Sequence, residues 1–244
     1  LALCGIAHAE FIPWGFWSGA GEVQGNSYYA LGAEKERGWI DFANTGITRP
    51  CDPNTYDCSC SFWIKLQSVP ASNLRIWDNL DGLNDGFSAQ YQSAKIFYTE
   101  VTGTDCFFDH PDTDLGATGV WHHAVFTYDR DGYAEFWLDG SRNDDTTSIA
   151  GITMYTADEL VLGVLKYGGF SVNPANCAWI DEAVIFHEVL TSNQIQTLYN
   201  DGDGLYVTVD DFPNALAIYH FDETYGNMVM DSGPSNFWGV ARNC

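Results

Sequence analysis

Short runs in which apolar and polar residues alternate, closed by aspartate–glycine turns, most tightly constrain the fold of this chain. Trp121-His-His-Ala-Val-Phe-Thr-Tyr-Asp129 and Tyr133-Ala-Glu-Phe-Trp-Leu-Asp139 are two such runs, joined by Arg130-Asp131-Gly132. A period of two places alternate side chains on opposite faces of a strand. Glycine after aspartate accepts the positive φ that a tight hairpin needs. Further strands are expected at Ser61–Leu66, Leu74–Trp77, Gly86–Tyr91, Lys95–Val101, Leu160–Leu165, Ala178–Phe186 and Ala215–Phe221. Many short strands separated by turn signals predict an all-β fold, a two-sheet antiparallel sandwich. One helix breaks the pattern. Thr191-Ser-Asn-Gln194 has the spacing of a capping box, Ile195, Leu198 and Tyr199 supply an apolar face, and Asp201-Gly202 ends it.

Composition narrows the partners. Thirty-three acidic residues against 10 basic ones give a formal net charge of −23. Binding of nucleic acid needs a basic stripe that ten cations do not make, and an anionic membrane surface repels the chain. No run approaches the roughly 18 apolar residues of a spanning helix, so no membrane insertion is expected. Acidity is concentrated in aspartate, 23 against 10 glutamates, and six of the aspartates precede glycine. That placement belongs to turns and loops rather than to a uniform charged coat.

The seven cysteines are Cys4, Cys51, Cys58, Cys60, Cys106, Cys177 and Cys244. No Cys-x-x-Cys pair or Cys/His zinc spacing occurs among them. Disulfides in an oxidising compartment are expected, drawn from all but Cys4 and with connectivity open. The segment Leu1-Ala-Leu-Cys-Gly-Ile-Ala-His-Ala9 reads either as the tail of a signal peptide, whose removal takes Cys4 with it, or as an apolar strand. The expectation is a retained segment in a secreted or surface-displayed protein.

Several motifs in order resemble the second half of a laminin-G-like, concanavalin-A-like jelly roll. They are Trp121-His-His-Ala-Val-Phe-Thr-Tyr-Asp129, Glu135-Phe-Trp-Leu-Asp-Gly140, Leu160-Val-Leu-Gly163, Trp179-Ile-Asp-Glu-Ala-Val-Ile-Phe186 and Leu190-Thr-Ser-Asn-Gln-Ile-Gln-Thr-Leu-Tyr199. Upstream, Ser59-Cys-Ser-Phe-Trp-Ile-Lys65 and Gly38-Trp-Ile-Asp-Phe42 resemble earlier strands of the same fold. The resemblance implies two packed antiparallel sheets and, commonly, calcium-assisted binding of glycans or proteins. It divides the chain into an N-terminal apolar segment (1–19), a jelly-roll body (20–204) and a C-terminal strand segment (205–244).

That last segment is out of order. Leu216-Ala-Ile-Tyr-His-Phe-Asp222 and Asp231-Ser-Gly-Pro-Ser-Asn236 resemble the family's opening strand and its loop. A sandwich lacking that strand has an open edge and a slot in its core. The segment can fold back on its own body, begin another repeat, or insert into a neighbouring copy. The reading favoured here is donation, giving a head-to-tail assembly of copies of itself. Leu216, Ile218, Tyr219 and Phe221 would enter the neighbour, with Phe11 and Trp14 packed at the junction.

The resemblance also implies a calcium site made by Asp181, Asp222, Asp231 and Asn236, since calcium takes six to eight oxygen ligands from such loops. Laminarinase-like glycosidases present two carboxylates as Glu-x-Asp-x-x-Glu or Glu-x-Asp-x-Glu on one strand face, and no such run occurs here. Asp181 and Glu182 are adjacent and are expected on opposite faces, as are His122 and His123. Catalysis is therefore not expected. For glycans, Trp14, Trp17, Trp77, Tyr167 and Trp238 lie near loops, with none singled out. The resulting expectation is a non-catalytic extracellular building block that self-assembles. A monomeric calcium-dependent lectin is the alternative, and a glycoside hydrolase with an unusual site is third.

Overall fold

The computed structural model describes residues 57–66, 74–78, 87–91, 97–101, 104–108, 115, 118–152, 161–162, 164–165, 171–172, 178–223 and 228–242, and the backbone of 29–31 and 39–41. In chain order the strands are β1 (Tyr29–Leu31), β2 (Trp39–Asp41), β3 (Cys58–Leu66), β4 (Leu74–Asp78), β5 (Phe87–Tyr91), β6 (Phe97–Val101), β7 (Thr104–Phe108), β8 (Trp121–Tyr128) and β9 (Tyr133–Leu138). They continue with β10 (Ser141–Arg142), β11 (Thr147–Ser148), β12 (Val161–Leu162), β13 (Val164–Leu165), β14 (Ser171–Val172) and β15 (Ala178–Phe186). Helix α1 (Ser192–Tyr199) precedes β16 (Ala215–Tyr219), β17 (Met228–Val229) and β18 (Gly239–Arg242).

Two antiparallel sheets make a jelly-roll sandwich. The first runs β1-β15-β3-β8-β9-β10, with β16 also paired to β15 and β11 to β9; the second runs β17-β18-β2-β12-β4-β5-β6-β7. The expected strand at Leu160–Leu165 is split in two: β12 joins the second sheet, and among the described residues β13 pairs with β14. Between the sheets lies an aromatic core. Phe62, Phe126 and Phe136 from the first sheet meet Phe97 and Phe108 from the second, with Phe97 and Phe136 stacked at 4.4 Å.

A smaller second core lies on the outer face of the first sheet. There α1 lays Ile195 and Leu198 on Val125, Val184 and Phe186, and the following stretch adds Val207 and Phe212. The capping box forms as expected: Gln194 N–H donates to the Thr191 hydroxyl, and Thr191 N–H donates to the Gln194 side chain at 2.8 Å. Gln196 Nε2 donates to Gly140 O at 2.6 Å, tying the helix to the turn after β9. Gly140 has φ +72°, and a Cβ there would fall 2.8 Å from the Gln196 side chain.

The C-terminal segment folds back on its own chain. Strand β16 pairs with Ala183–Phe186 of β15, β1 pairs with Ala178–Ile180 on the same edge, and β18 pairs with β2 in the opposite sheet. Ala217, Tyr219 and Phe221 enter the main core, Ile218 enters the outer one, and Leu216 is partly buried. Of the three arrangements expected, the single chain adopts the fold-back one. The slot that motivated it is filled by the chain's own strand. Phe11, Trp14 and the whole 1–19 segment lie outside the described residues, as do Cys4, Cys51, Cys177 and Cys244. Cys58 is disulfide-bonded, whereas Cys60 and Cys106 are buried as thiols, contrary to the expectation for those two. Burial pushes the Cys60 thiol far above its ordinary range.

Candidate functional site

Three neighbouring strands bring a row of aromatic and charged residues to the outer face of the first sheet. Register sets Trp179 of β15 opposite Lys65 of β3, and Lys65 opposite Trp121 of β8. One step along, Asp181, Trp63 and His123 form a second row. Ile64 and Ile180, between the rows, and Ala124, next along β8, point into the core, so alternation directs both rows to the other face. The Lys65 ammonium lies 4.0 Å from the Trp179 ring centre and 4.7 Å from that of Trp121. Such cation–π contacts favour a charged, well-positioned lysine. Trp63 and Trp121 are buried, and Trp179 and Tyr199 pack against them partly exposed.

His123 completes the buried end of this face. Its ring lies against Trp63 at 5.2 Å and Tyr199 at 6.2 Å, and its Nε2 makes a 2.8 Å hydrogen bond with the Ser61 hydroxyl. Burial lowers its pKa to about 4 against the opposing pull of Asp139. His122 and His123 do diverge, as expected, with His122 Nδ1 bonded to Asp139 Oδ2 at 2.8 Å.

At Asp181 the alternation fails. The β15–β3 register jumps between the Asp181–Trp63 and Val184–Ser61 pairs, and Glu182 adopts φ 44°. An extra residue in one strand of a pair is a β-bulge, which re-aims the side chains beyond it. Asp181 and Glu182 are consequently both buried, at 2% exposure each, rather than divided between the faces as expected. Asp181 Oδ1 accepts from Glu182 N–H at 2.9 Å. The Glu182 carboxyl meets His220 Nδ1 at 2.9 and 3.0 Å and accepts a long bond from Val207 N–H. Tyr206 stacks flat on the His220 ring at 3.8 Å.

Burial, reinforced by Glu182 and Asp222, holds the Asp181 carboxyl well above the ordinary carboxylate range. Burial and then Asp222 do the same to Glu182. His220 is shifted down by burial, against the pull of Asp222 and Glu223. Glycoside hydrolysis needs two carboxyls flanking a sugar bond. Here both carboxyls are buried, and Glu182 is bonded to Val207 N–H and His220.

The expected calcium ligands do not come together as a set. Asp181 and Asp222 are electrostatic neighbours, and Asp222 is exposed. Asp231 serves a different purpose. Its Oδ1 accepts from Ile218 N–H at 2.8 Å and Gly233 N–H at 2.7 Å, while Oδ2 accepts from Phe237 N–H at 2.7 Å. Gly233 permits this close turn, since a Cβ there would fall 3.0 Å from Ala217 Cα. Asn236 is an exposed turn residue at φ 57°. Calcium asks for ionised carboxylates with unspent oxygens. Among the described residues, no group of three or more His, Cys, Asp or Glu side chains is arranged to hold a metal ion.

Of the tryptophans near loops, Trp77 is fully buried, Trp238 is half-buried, and Trp14, Trp17 and Tyr167 lie outside the described residues. Sequence reasoning missed the row formed by Trp179, Lys65 and Trp121. The signal was present: Trp63-Ile-Lys65, Trp121-His-His123 and Trp179-Ile-Asp181 each place a large or charged residue on both sides of a residue bound for the inner face.

A family model described as the concanavalin A-like lectin/glucanases superfamily matches residues 38–196. Among solved structures, a Bacteroides ovatus protein assigned as carbohydrate binding superposes with a TM-score of 0.60 at 14% identity, covering 91% of this chain and 57% of its own. The binding domain of botulinum neurotoxin DC, solved with rat synaptotagmin II, gives 0.55 at 17% identity, covering 89% of this chain and 57% of its own. The heptameric SAP-like pentraxin of Limulus polyphemus gives 0.52 at 16% identity, covering 74% of this chain and 80% of its own. At these identities the likeness shows the fold. The chain thus spans little more than half of the Bacteroides and neurotoxin chains. No curated protein sequence matches it.

Proposed function

The chain belongs to the concanavalin A-like lectin/glucanases superfamily, and from that premise we infer that it is a non-catalytic carbohydrate-binding jelly roll, secreted or displayed at a surface. The observation that carries this reading is the outward row of Trp179, Lys65 and Trp121. The partly exposed Trp179 indole, backed by the buried Trp121, offers a sugar ring apolar area, and the Lys65 ammonium offers hydrogen bonds to its hydroxyls. Burial of Asp181 and Glu182 favours binding over hydrolysis. The closing of β16 on its own chain favours a lectin-like module over a strand-donating filament. A net charge of −23 repels polyanions, so the glycan is a neutral one. The fold neighbour assigned as carbohydrate binding supports the same reading.

A glycan array with the wild-type protein and Trp179→Ala tests it. Neutral oligosaccharides are retained by wild type, and Trp179→Ala weakens retention by about tenfold or more, the order expected for losing one stacking surface. Failure to retain any glycan overturns the reading, as does equal retention by a folded Trp179→Ala variant.

A further inference from the structure

Negative charge and exposed apolar area coincide on one part of the surface. Between Lys166 and Arg242 the chain has ten acidic residues and neither lysine nor arginine. Among the described residues six large hydrophobic side chains are exposed, and four of them, Tyr206, Val209, Met228 and Met230, fall within this acidic stretch. Contacts draw Tyr206 and the two methionines together. Tyr206 lies flat on His220 at 3.8 Å, with the rings only 6° from parallel. His220 is held in turn by the Glu182 carboxyl at 2.9 Å, so the phenol ring is fixed while the residue stays exposed. Burial first, and Asp222 next, push the Tyr206 phenol upward, which puts the exposed Asp222 carboxylate beside the ring. Glu223, whose carboxyl also interacts with His220, accepts from Met230 N–H at 2.6 Å. Met228 and Met230 flank the buried Val229, and alternation turns both away from the core. A phenol ring, two thioethers and two carboxyls therefore border one another.

Exposed apolar side chains rimmed by polar groups mark interaction sites, and here the sign of the charge selects the occupant. A second copy of the chain brings its own net charge of −23 and is repelled, as are polyanions. An aromatic face beside a carboxylate attracts an ammonium or a guanidinium, and methionine side chains adapt to varied apolar partners. We propose that this face docks a lysine- or arginine-bearing segment of another protein, setting a cation on Tyr206 beside Asp222 and an apolar side chain on Met228 and Met230. The stack on His220 fixes the ring before the partner arrives, so little ordering of Tyr206 opposes binding. Because exposed charges supply part of the attraction, binding weakens as salt rises.

Titration of the full chain with a short labelled peptide of lysine, leucine and glycine tests this, read by fluorescence anisotropy and by methionine-methyl NMR. The control is the same peptide with every lysine replaced by glutamine. The expected result is binding of the lysine peptide and not of its glutamine counterpart, with shifts of the Met228 and Met230 methyl signals. Tyr206→Ala weakens binding about two- to fivefold, the range of one exposed cation–π contact, whereas Tyr206→Phe, which keeps the ring, does not. Asp222→Asn weakens it as well. Asp144→Asn, an exposed change of equal charge in the loop between β10 and β11, leaves it unaltered. Failure of the lysine peptide to bind, or equal binding of the glutamine one, overturns the proposal. An equal effect of Asp144→Asn and Asp222→Asn also overturns it, since that is diffuse attraction to the whole acidic surface. A folded Tyr206→Ala protein that binds like wild type does the same. If that variant does not fold, the two aspartate variants decide.

Discussion

Asp231 illustrates how much one side chain can organise. Its two oxygens accept three backbone N–H bonds, from Ile218 in β16 and from Gly233 and Phe237 in the turn that follows. Hydrogen bonds to an ionised acceptor are stronger than neutral ones, and donors left unmade cost their desolvation. Asp231→Ala should therefore lower unfolding stability by about 3 kcal/mol in urea titrations, a half-buried site softening the full cost of three lost bonds. EDTA or added calcium should leave the melting temperature unchanged, because the same oxygens are occupied by the protein itself. A calcium-dependent rise in melting temperature would reverse this assignment. As a turn-closing Asx residue Asp231 was readable from Asp-Ser-Gly, but its reach back to Ile218 was not, since that contact spans thirteen residues.

At the scale of elements, local chemistry and long-range pairing have separate effects. Helix α1 was fully legible. Its cap and its apolar face of Ile195 and Leu198 follow from residues within a few positions, while its left-handed end falls at Asn200, just before the Asp201-Gly202 expected to end it. Thr191→Ala removes the cap acceptor and should cost about 1 kcal/mol, read as a lowered denaturation midpoint with an unchanged slope. A change in slope would mean that the cap also governs how much surface the fold buries. Strand β15 was legible in its extent, Ala178–Phe186, but not in its geometry. Nothing in Trp-Ile-Asp-Glu-Ala-Val announces that Glu182 adopts φ 44°. The bulge arises where β15 must pair with β3 along one edge and with β1 and then β16 along the other. Those partners come from opposite ends of the sequence.

For the whole molecule, the decisive fact is that the displaced opening strand completes its own sandwich. Ile218, Tyr219 and Phe221 are buried by it, each at about 1.5–3 kcal/mol, against a typical total stability of about 5–15 kcal/mol. Removing residues 205–244 should therefore abolish the cooperative thermal transition and expose apolar surface to a hydrophobic dye. A truncated protein that melts sharply would show the body to be complete without the strand. The sequence by itself determined the sheet-forming alternation, the hairpin at Asp131-Gly132, helix α1 and the family resemblance, because each rests on residues close together in the chain. It also held the three members of the Trp179–Lys65–Trp121 row in separate strand motifs. Only the tertiary structure joined them. It alone decided that β16 pairs with β15 of its own chain, that Asp181 and Glu182 are buried together, and that Asp231 accepts backbone amides from two segments. Those outcomes depend on register between distant strands, and a single inserted residue at the bulge reverses which side chains face inward.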